Sequence, residues 1–207
     1  LESCATDGHI MKVLDHGKSE GEDYEMIVNA RTIDLIAQGS KKGLKIFEMD
    51  DHYRFHLGKG LNLISRKVSL KYPSYKNVIP DNCPEKVVFD HSEFMKMIKS
   101  CKAFTDKETN LVKVDVTGDM LKVTAHNPHI EISWTGQMKT NMSTGNCRFG
   151  FDVTYLDRLI GNMKTDRITW KHSHPERASL FCGRDDDDTT INLLMPIRLK
   201  ERNEDGE

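Results

Sequence analysis

Asp7 and His9 flank a glycine in the stretch ATDGHIMKV. A second pair of histidines, His172 and His174, alternates along KHSHPE with Glu176 close behind. These residue types move protons or hold a divalent metal, and H-x-H spacing puts two imidazoles on one face of a strand. Taken together, Asp7, His9, His172 and His174 define one functional reading, a metal-dependent hydrolase. Against it, an isolated H-x-H is a weak motif, and no P-loop, G-x-S-x-G or H-E-x-x-H accompanies it. The run Asp185–Asp188 offers oxygens to a cation, but four consecutive acids lack the alternating spacing of a calcium loop and read as a solvated hairpin tip. The plainer reading of Asp7-Gly8 is a turn or bulge that leads into the apolar strand HIMKV, with glycine allowing close backbone approach.

The chain has 207 residues, 37% apolar and 30% charged, with a formal net charge of −2. That balance is globular, and the length suits one large domain or up to two ordinary ones. Near-zero net charge argues against a protein that coats nucleic acid with its whole surface, while leaving room for a local basic face. No apolar run approaches the ~20 residues of a membrane span, and no signal peptide is visible. The opening residue is Leu, which fits a piece of a longer chain. Five scattered cysteines, none in a C-x-x-C pair, read as buried thiols of a reducing cytoplasm rather than a zinc site or disulfide framework.

The elements that must position these residues show themselves as a repeat. MIVNARTIDLIAQGSK from Met26, VVFDHSEFMKMIKSCK from Val87 and FGFDVTYLDRLIGNMK from Phe149 share one pattern. A short apolar strand ends in Asn29, Asp90 or Asp152, 61 and 62 residues apart, and a helical pattern follows. A short oxygen-bearing side chain at that point caps the free N–H groups of the first helical turn. Apolar residues then recur at helical spacing: Phe94, Ile98 and Cys101 in the second copy, and Leu156, Leu159, Ile160 and Met163 in the third. Three strand-like segments follow each helix. They are LKIFEMD, YRFHLG and LNLISRKV; LVKVDV, LKVTAH and HIEISW; RITWKHS, ASLFCG and TINLLMPI. The predicted class is α+β, built from strand-helix-three-strand units with antiparallel sheets. Residues 83–199 hold two units and 1–80 hold one, preceded by a last strand of another, ESCATDGHIMKVLD. The proline-bearing YPSYKNVIPDNCP, within 71–84, reads as an interdomain linker.

The second helix carries Lys96, Lys99 and Lys102 opposite its apolar stripe; the third adds Arg158 and Lys164, and the first adds Arg31, with Lys41 and Lys42 just past its end. Phe104, beside Ala103 and among Lys102, Thr105 and Asp106, is an exposed aromatic unless a local core contact or another subunit covers it.

ATDGH opening a strand, YPSYKNVIP as linker, VTAHNP, FDVTYLDRLI and the terminal LLMPIRL, in this order over residues 4–199, together resemble the bacterial sliding-clamp family, the beta subunit of DNA polymerase III. The resemblance implies the DNA-clamp fold. Three similar domains make a subunit, and two subunits close head to tail around duplex DNA, with sheets outside and helices lining the hole. Residues 1–80 then correspond to the latter half of the middle domain, 85–199 to the last domain, and 200–207 to a polar tail. Lys96, Lys99, Lys102, Arg158, Lys164 and Arg31 are expected to face DNA and hold it by counterion release without reading bases. Ala103 and Phe104 are expected at the subunit interface; the surface opposite them belongs to the first domain, so this piece by itself does not close a normal ring.

The resemblance further implies a non-enzymatic processivity factor in the cytoplasm, associated with the replisome, with no metal and no cofactor. Its expected partners are duplex DNA, the polymerase III catalytic subunit, the clamp loader and other proteins that dock a peptide of Gln and bulky Leu or Phe. Carried over by motif, the docking groove falls on Thr6, Gly8, His9, Ile10 and Met11, on Pro73, Asn77 and Val78, on Tyr155, and on Leu193, Leu194, Met195, Pro196, Ile197, Arg198 and Leu199. Leucine and methionine suit a surface that repacks around several peptides. Pro196 implies an edge or an ending strand. Two positions depart from the family pattern: Ile10 stands where Arg is frequent, and Asn77 where a basic residue is frequent. Both make the groove less positive.

Overall fold

The computed structural model describes residues 1–18, 24–40, 43–183 and 189–199. Its elements are, in chain order, β1 (Glu2–Thr6), β2 (Ile10–Asp15), α1 (Ala30–Gly39), β3 (Lys45–Glu48), β4 (His52–Gly58), β5 (Leu61–Arg66), a 3-10 turn (Tyr75–Val78), β6 (Glu85–Asp90), α2 (His91–Cys101), a 3-10 turn (Lys102–Phe104), β7 (Leu111–Thr117), β8 (Met120–Asn127), β9 (Ile132–Lys139), β10 (Met142–Ser143), β11 (Cys147–Asp152), α3 (Val153–Gly161), β12 (Arg167–His172), β13 (Ser179–Cys182) and β14 (Thr190–Leu194). Lys41, Lys42, the Asp185–Asp188 run and the 200–207 tail lie outside the described residues.

The capping residues act as the repeat predicts. The side chain of Asn29 accepts from the Arg31 N–H at 2.9 Å, Asp90 from Glu93 N–H at 2.8 Å, and Asp152 from Thr154 N–H at 2.7 Å. Each oxygen satisfies a donor that the first helical turn leaves without an intrahelical partner. Two expected strands take another form. Residues 26–28 form no strand ahead of α1. The segment ESCATDGHIMKVLD is not one strand but the hairpin β1–β2, folded at Asp7-Gly8-His9 with Thr6 opposite Met11.

The chain divides into two compact units, Leu1–Ser19 with Tyr75–Glu207, and Glu20–Ser74. β1 and β2 join the larger unit because β2 pairs with β14, Met11 opposite Leu193 and Ile10 opposite Leu194.

The larger unit holds a seven-stranded sheet, β1-β2-β14-β13-β12-β6-β10, and a four-stranded sheet, β11-β7-β8-β9. Strict alternation buries one face of each strand: Val112, Val114 and Val116 of β7 lie opposite Ala125, Val123 and Leu121 of β8, all in the core. α2 contributes Phe94, Met95, Met97, Ile98 and Cys101, and α3 contributes Val153, Leu156, Leu159 and Ile160. The two helices pack on each other and on the sheets, around Phe89, Phe149, Phe151, Trp170 and Phe181. Each such side chain contributes about 1.5–3 kcal/mol on burial, so this cluster fixes both helices. In the smaller unit β3-β4-β5 is an antiparallel meander whose buried residues are Tyr53 and Phe55. Thr32 of α1 reaches Ser65 of β5 through a hydroxyl pair at 2.9 Å.

Candidate functional site

The turn between β1 and β2 is built by side chains. Asp7 Oδ1 accepts the backbone N–H groups of His9 (3.1 Å) and Ile10 (3.0 Å). Thr6 Oγ1 accepts from Gly8 N–H at 3.1 Å and donates to the Ile10 carbonyl at 2.8 Å. Gly8 has φ +90°, a backbone conformation that strains any residue with a Cβ. The other Asp7 oxygen receives the Arg158 guanidinium from α3. Burial would raise the Asp7 carboxyl, but the two backbone donors and Arg158 outweigh it and hold the group below the ordinary carboxylate range. Asp7 is thus committed on both oxygens and is not placed to act as a base.

His9 lies against Tyr155, ring centroids 4.8 Å apart and planes within 13°. Arg158 lies over the same tyrosine at 5.5 Å. The His9 carbonyl accepts from the Met195 N–H at 2.9 Å, which ties the turn to the segment after β14.

On the far side of the sheet lies an apolar cluster: Met11, Val13, Ala178 and Leu193 are buried, and Cys4, Tyr75, Ile79, Leu180, Ile191 and Met195 pack against them. The 3-10 turn at 75–78 covers this cluster. The Tyr75 hydroxyl donates to the Glu2 carboxylate, and Val78 is left half exposed. Because β2 and β14 alternate, the expected groove residues divide between two faces. Met11, Leu193 and Met195 face the Tyr75–Ile79 segment, whereas Ile10, Tyr155 and Leu194 pack with the main core. Asn77 is exposed on the covering turn, and Pro73 falls in the smaller unit.

β14 ends before Pro196, as that residue's missing donor requires. Beyond it, Ile197 N–H donates to the Gly150 carbonyl at 2.8 Å, attaching the segment to β11 of the other sheet. Arg198 is exposed and paired with Glu176, whose carboxyl it holds low. Leu199 packs over Gly150, where its Cδ2 is 2.7 Å from the place a Cβ would occupy.

The cations expected to face DNA sit in different surroundings. Lys96 and Lys99 are exposed on the outer face of α2, and Lys164 is exposed beyond α3. Arg31 is exposed on α1 of the smaller unit. Lys102 is exposed but paired with Asp157 of α3 at 3.0 Å, and Arg158 is drawn to Asp7 and Tyr155. Ala103 is exposed, while Phe104 is half-buried and packs against the main core, so a local contact covers much of that ring.

The metal-hydrolase reading does not survive this geometry. His172 is buried between Phe149 and Trp170, centroids 4.9 and 4.8 Å away, and His174 is exposed and accepts from the Glu176 N–H. His9 is stacked on Tyr155 and Asp7 is engaged by Arg158. Among the described residues no three His, Cys, Asp or Glu side chains converge on a metal position. The Cys101 and Cys147 thiols are pushed up to about 12 by burial, so neither is a nucleophile near neutrality.

Tyr75 and Ile79 of the covering segment, and the pairing of Asp7 with Arg158, are not among the features expected at the groove. Tyr75 and Ile79 lie four residues apart in YKNVI, the spacing of a helical turn with one apolar side, and that signal was available. The Asp7–Arg158 pair spans 151 residues and has no local signature.

Comparison with known proteins gives a consistent result. The beta sliding clamp of Pseudomonas aeruginosa is 25% identical over 206 residues, covering 96% of this chain and 55% of that protein. That of Rickettsia bellii is 23% identical over 212 residues, covering 95% and 56%. The chain spans about half the length of the curated relatives it matches. Among solved structures, the P. aeruginosa sliding clamp with ligand superposes with a TM-score of 0.86 at 24% identity, covering 96% of this chain and 55% of that one. The Bartonella birtlesii sliding clamp bound to griselimycin gives 0.87 at 22% identity, covering 96% and 54%. At such identity these superpositions show the fold, which is that of the clamps. The family profile for the DNA polymerase III beta subunit, C-terminal domain, matches residues 76–198, more than half of the sequence, and the chain belongs to that family.

Proposed function

We propose that this chain is part of a DNA sliding clamp, a non-catalytic ring that encircles duplex DNA and tethers its clients through a docked peptide. The observation that carries the reading is the junction of the β1–β2 turn with the segment after β14, where the His9 ring stacks on Tyr155 and the His9 carbonyl holds the partly buried Met195 through its N–H. Met195, Pro196 and Ile197 are partly exposed there and offer adaptable apolar surface for bulky Leu or Phe anchors, with polar groups at the border formed by the turn to orient them, while Met11 and Leu193 are buried beneath. Thr6, Gly8 and His9 form the turn at that border, and Val78, Asn77 and Pro73 belong to the linker side.

Lys96 and Lys99, exposed on one face of α2, and Lys164 and Arg31 support contact with phosphates that is indifferent to sequence. Lys102 contributes less, since Asp157 already offsets its charge. In this reading residues 85–199 are the last domain and 1–80 the latter part of the middle one. Ala103 and the uncovered part of Phe104 meet a second subunit. The clients are the polymerase III catalytic subunit, the clamp loader and proteins with the same docking motif, all cytoplasmic. Among the described residues no helix is long and apolar enough to cross a membrane.

The test is binding of a fluorescein-labelled peptide of the Gln-Leu-Phe type to the chain. Micromolar affinity that falls about ten-fold in Met195→Ala, the loss expected of a well-packed anchor contact, is the expected result. No saturable binding, or binding indifferent to Met195, overturns the docking reading.

A further inference from the structure

Arg158 reads in the sequence as one more basic residue on a helix, yet its surroundings are those of a fastener. It lies three residues after Tyr155, so both side chains leave the same face of α3. Four contacts then close a circuit. The His9 N–H donates to Asp7 Oδ1, Arg158 donates to Asp7 Oδ2, the guanidinium lies over the Tyr155 ring, and that ring stacks on the His9 imidazole. The circuit joins the β1–β2 turn to α3, and the His9 carbonyl passes it on to Met195 through the 2.9 Å backbone bond. A planar guanidinium serves both contacts at once, forking onto a carboxylate while stacking on an aromatic face. The circuit also places a cation at this turn although residue 10 is isoleucine.

We propose that Arg158 is a positioning residue of the peptide-docking site: locked on Asp7, it holds the Tyr155 and His9 rings as a fixed wall beside Met195, and it is not a phosphate-binding cation of the ring interior. The proposal rests on the docking reading above. A wall ordered before the peptide arrives removes part of the ordering cost of binding.

The experiment measures affinity of the same labelled peptide for Arg158→Ala, Asp7→Asn, the double variant and Arg158→Lys, together with the proton NMR shifts of the His9 ring. Asn at position 7 keeps the oxygen that accepts the turn's N–H groups and removes only the charge. Each single variant should weaken the peptide about five-fold, the size of one exposed ion pair with one cation–π contact. The double variant should be no worse than either single one, because both break the same circuit. Arg158→Lys should fail to restore affinity, whereas a phosphate-binding role would accept lysine. The His9 ring protons, shifted upfield by Tyr155, should move back in all four variants. Full affinity in Arg158→Lys, additive single effects, or unmoved His9 resonances overturn the positioning role. A wild-type chain that binds no peptide overturns the docking reading and the positioning role with it; peptide binding that ignores Arg158 overturns only the latter.

Discussion

His172 shows how a residue with catalytic chemistry becomes a structural one. It ends β12 facing inward, between Phe149 and Trp170, and its Nε2 is buried without a hydrogen-bond partner among the described residues. Burial lowers its pKa, only partly opposed by the charge of Glu85 across the β6 register. The folded state therefore keeps this imidazole neutral below the pH at which the unfolded chain takes up its proton. Stability from this group is fully present above the ordinary value of about 6.5 and is lost as pH falls toward the lowered folded value. The unfolding free energy from urea titration should accordingly drop between pH 7 and pH 5, by no more than about 1.4 kcal/mol per pH unit from this single site. His172→Leu should flatten that part of the profile; an unchanged slope would show that His172 is not the source of the loss between pH 7 and pH 5.

Among the elements, the segment after β14 decides how the two sheets of the larger unit are joined. It leaves the seven-stranded sheet at Leu194, contacts the His9 carbonyl through Met195, and reaches β11 through the Ile197–Gly150 bridge. Gly150 permits this approach. A Cβ there would lie 2.7 Å from the Ile197 carbonyl oxygen, 2.7 Å from Leu199 Cδ2 and 3.0 Å from Leu111 Cδ1. The first of these atoms is backbone and cannot rotate away. Gly150→Ala should cost about 1–3 kcal/mol, as overpacking does, and should release the 195–199 segment. Hydrogen exchange at Ile197 N–H would show it, rising well beyond what the global loss of stability explains.

At the level of the whole molecule, the two compact units differ in how much they bury. The larger encloses a continuous aromatic and aliphatic core, whereas the residues of 24–74 expose Ile33, Leu35, Leu44, Ile46, Phe47, Met49, Leu61 and Ile64. Few buried contacts mean a low free energy of local opening. Limited proteolysis should cut within 24–74 while residues 75–183 remain intact, and the same order should appear in hydrogen exchange. Simultaneous cleavage of both units would show that the smaller one draws stability from elsewhere.

Legible in the residues alone were the repeat, the three helix caps at Asn29, Asp90 and Asp152, the strand character of LVKVDV and LKVTAH, and the inner and outer faces of α2. These are encoded by short-range rules: a cap acts within one turn, a strand alternates with period two and a helix with period 3.6. The family motifs in ATDGH and LLMPIRL also made the region of the candidate site legible. Only the tertiary structure decided that β1 and β2 form a hairpin on the edge of the seven-stranded sheet, because that depends on β2 finding β14. It alone decided that Met11 and Leu193 face one side and Ile10 and Leu194 the other, since one residue of register reverses every side chain. It alone paired the exposed cations Arg158 and Lys102, by bringing Asp7 and Asp157 to them across 151 and 55 residues. An ion pair depends on distance in space, and the local pattern around either partner carries no trace of the other.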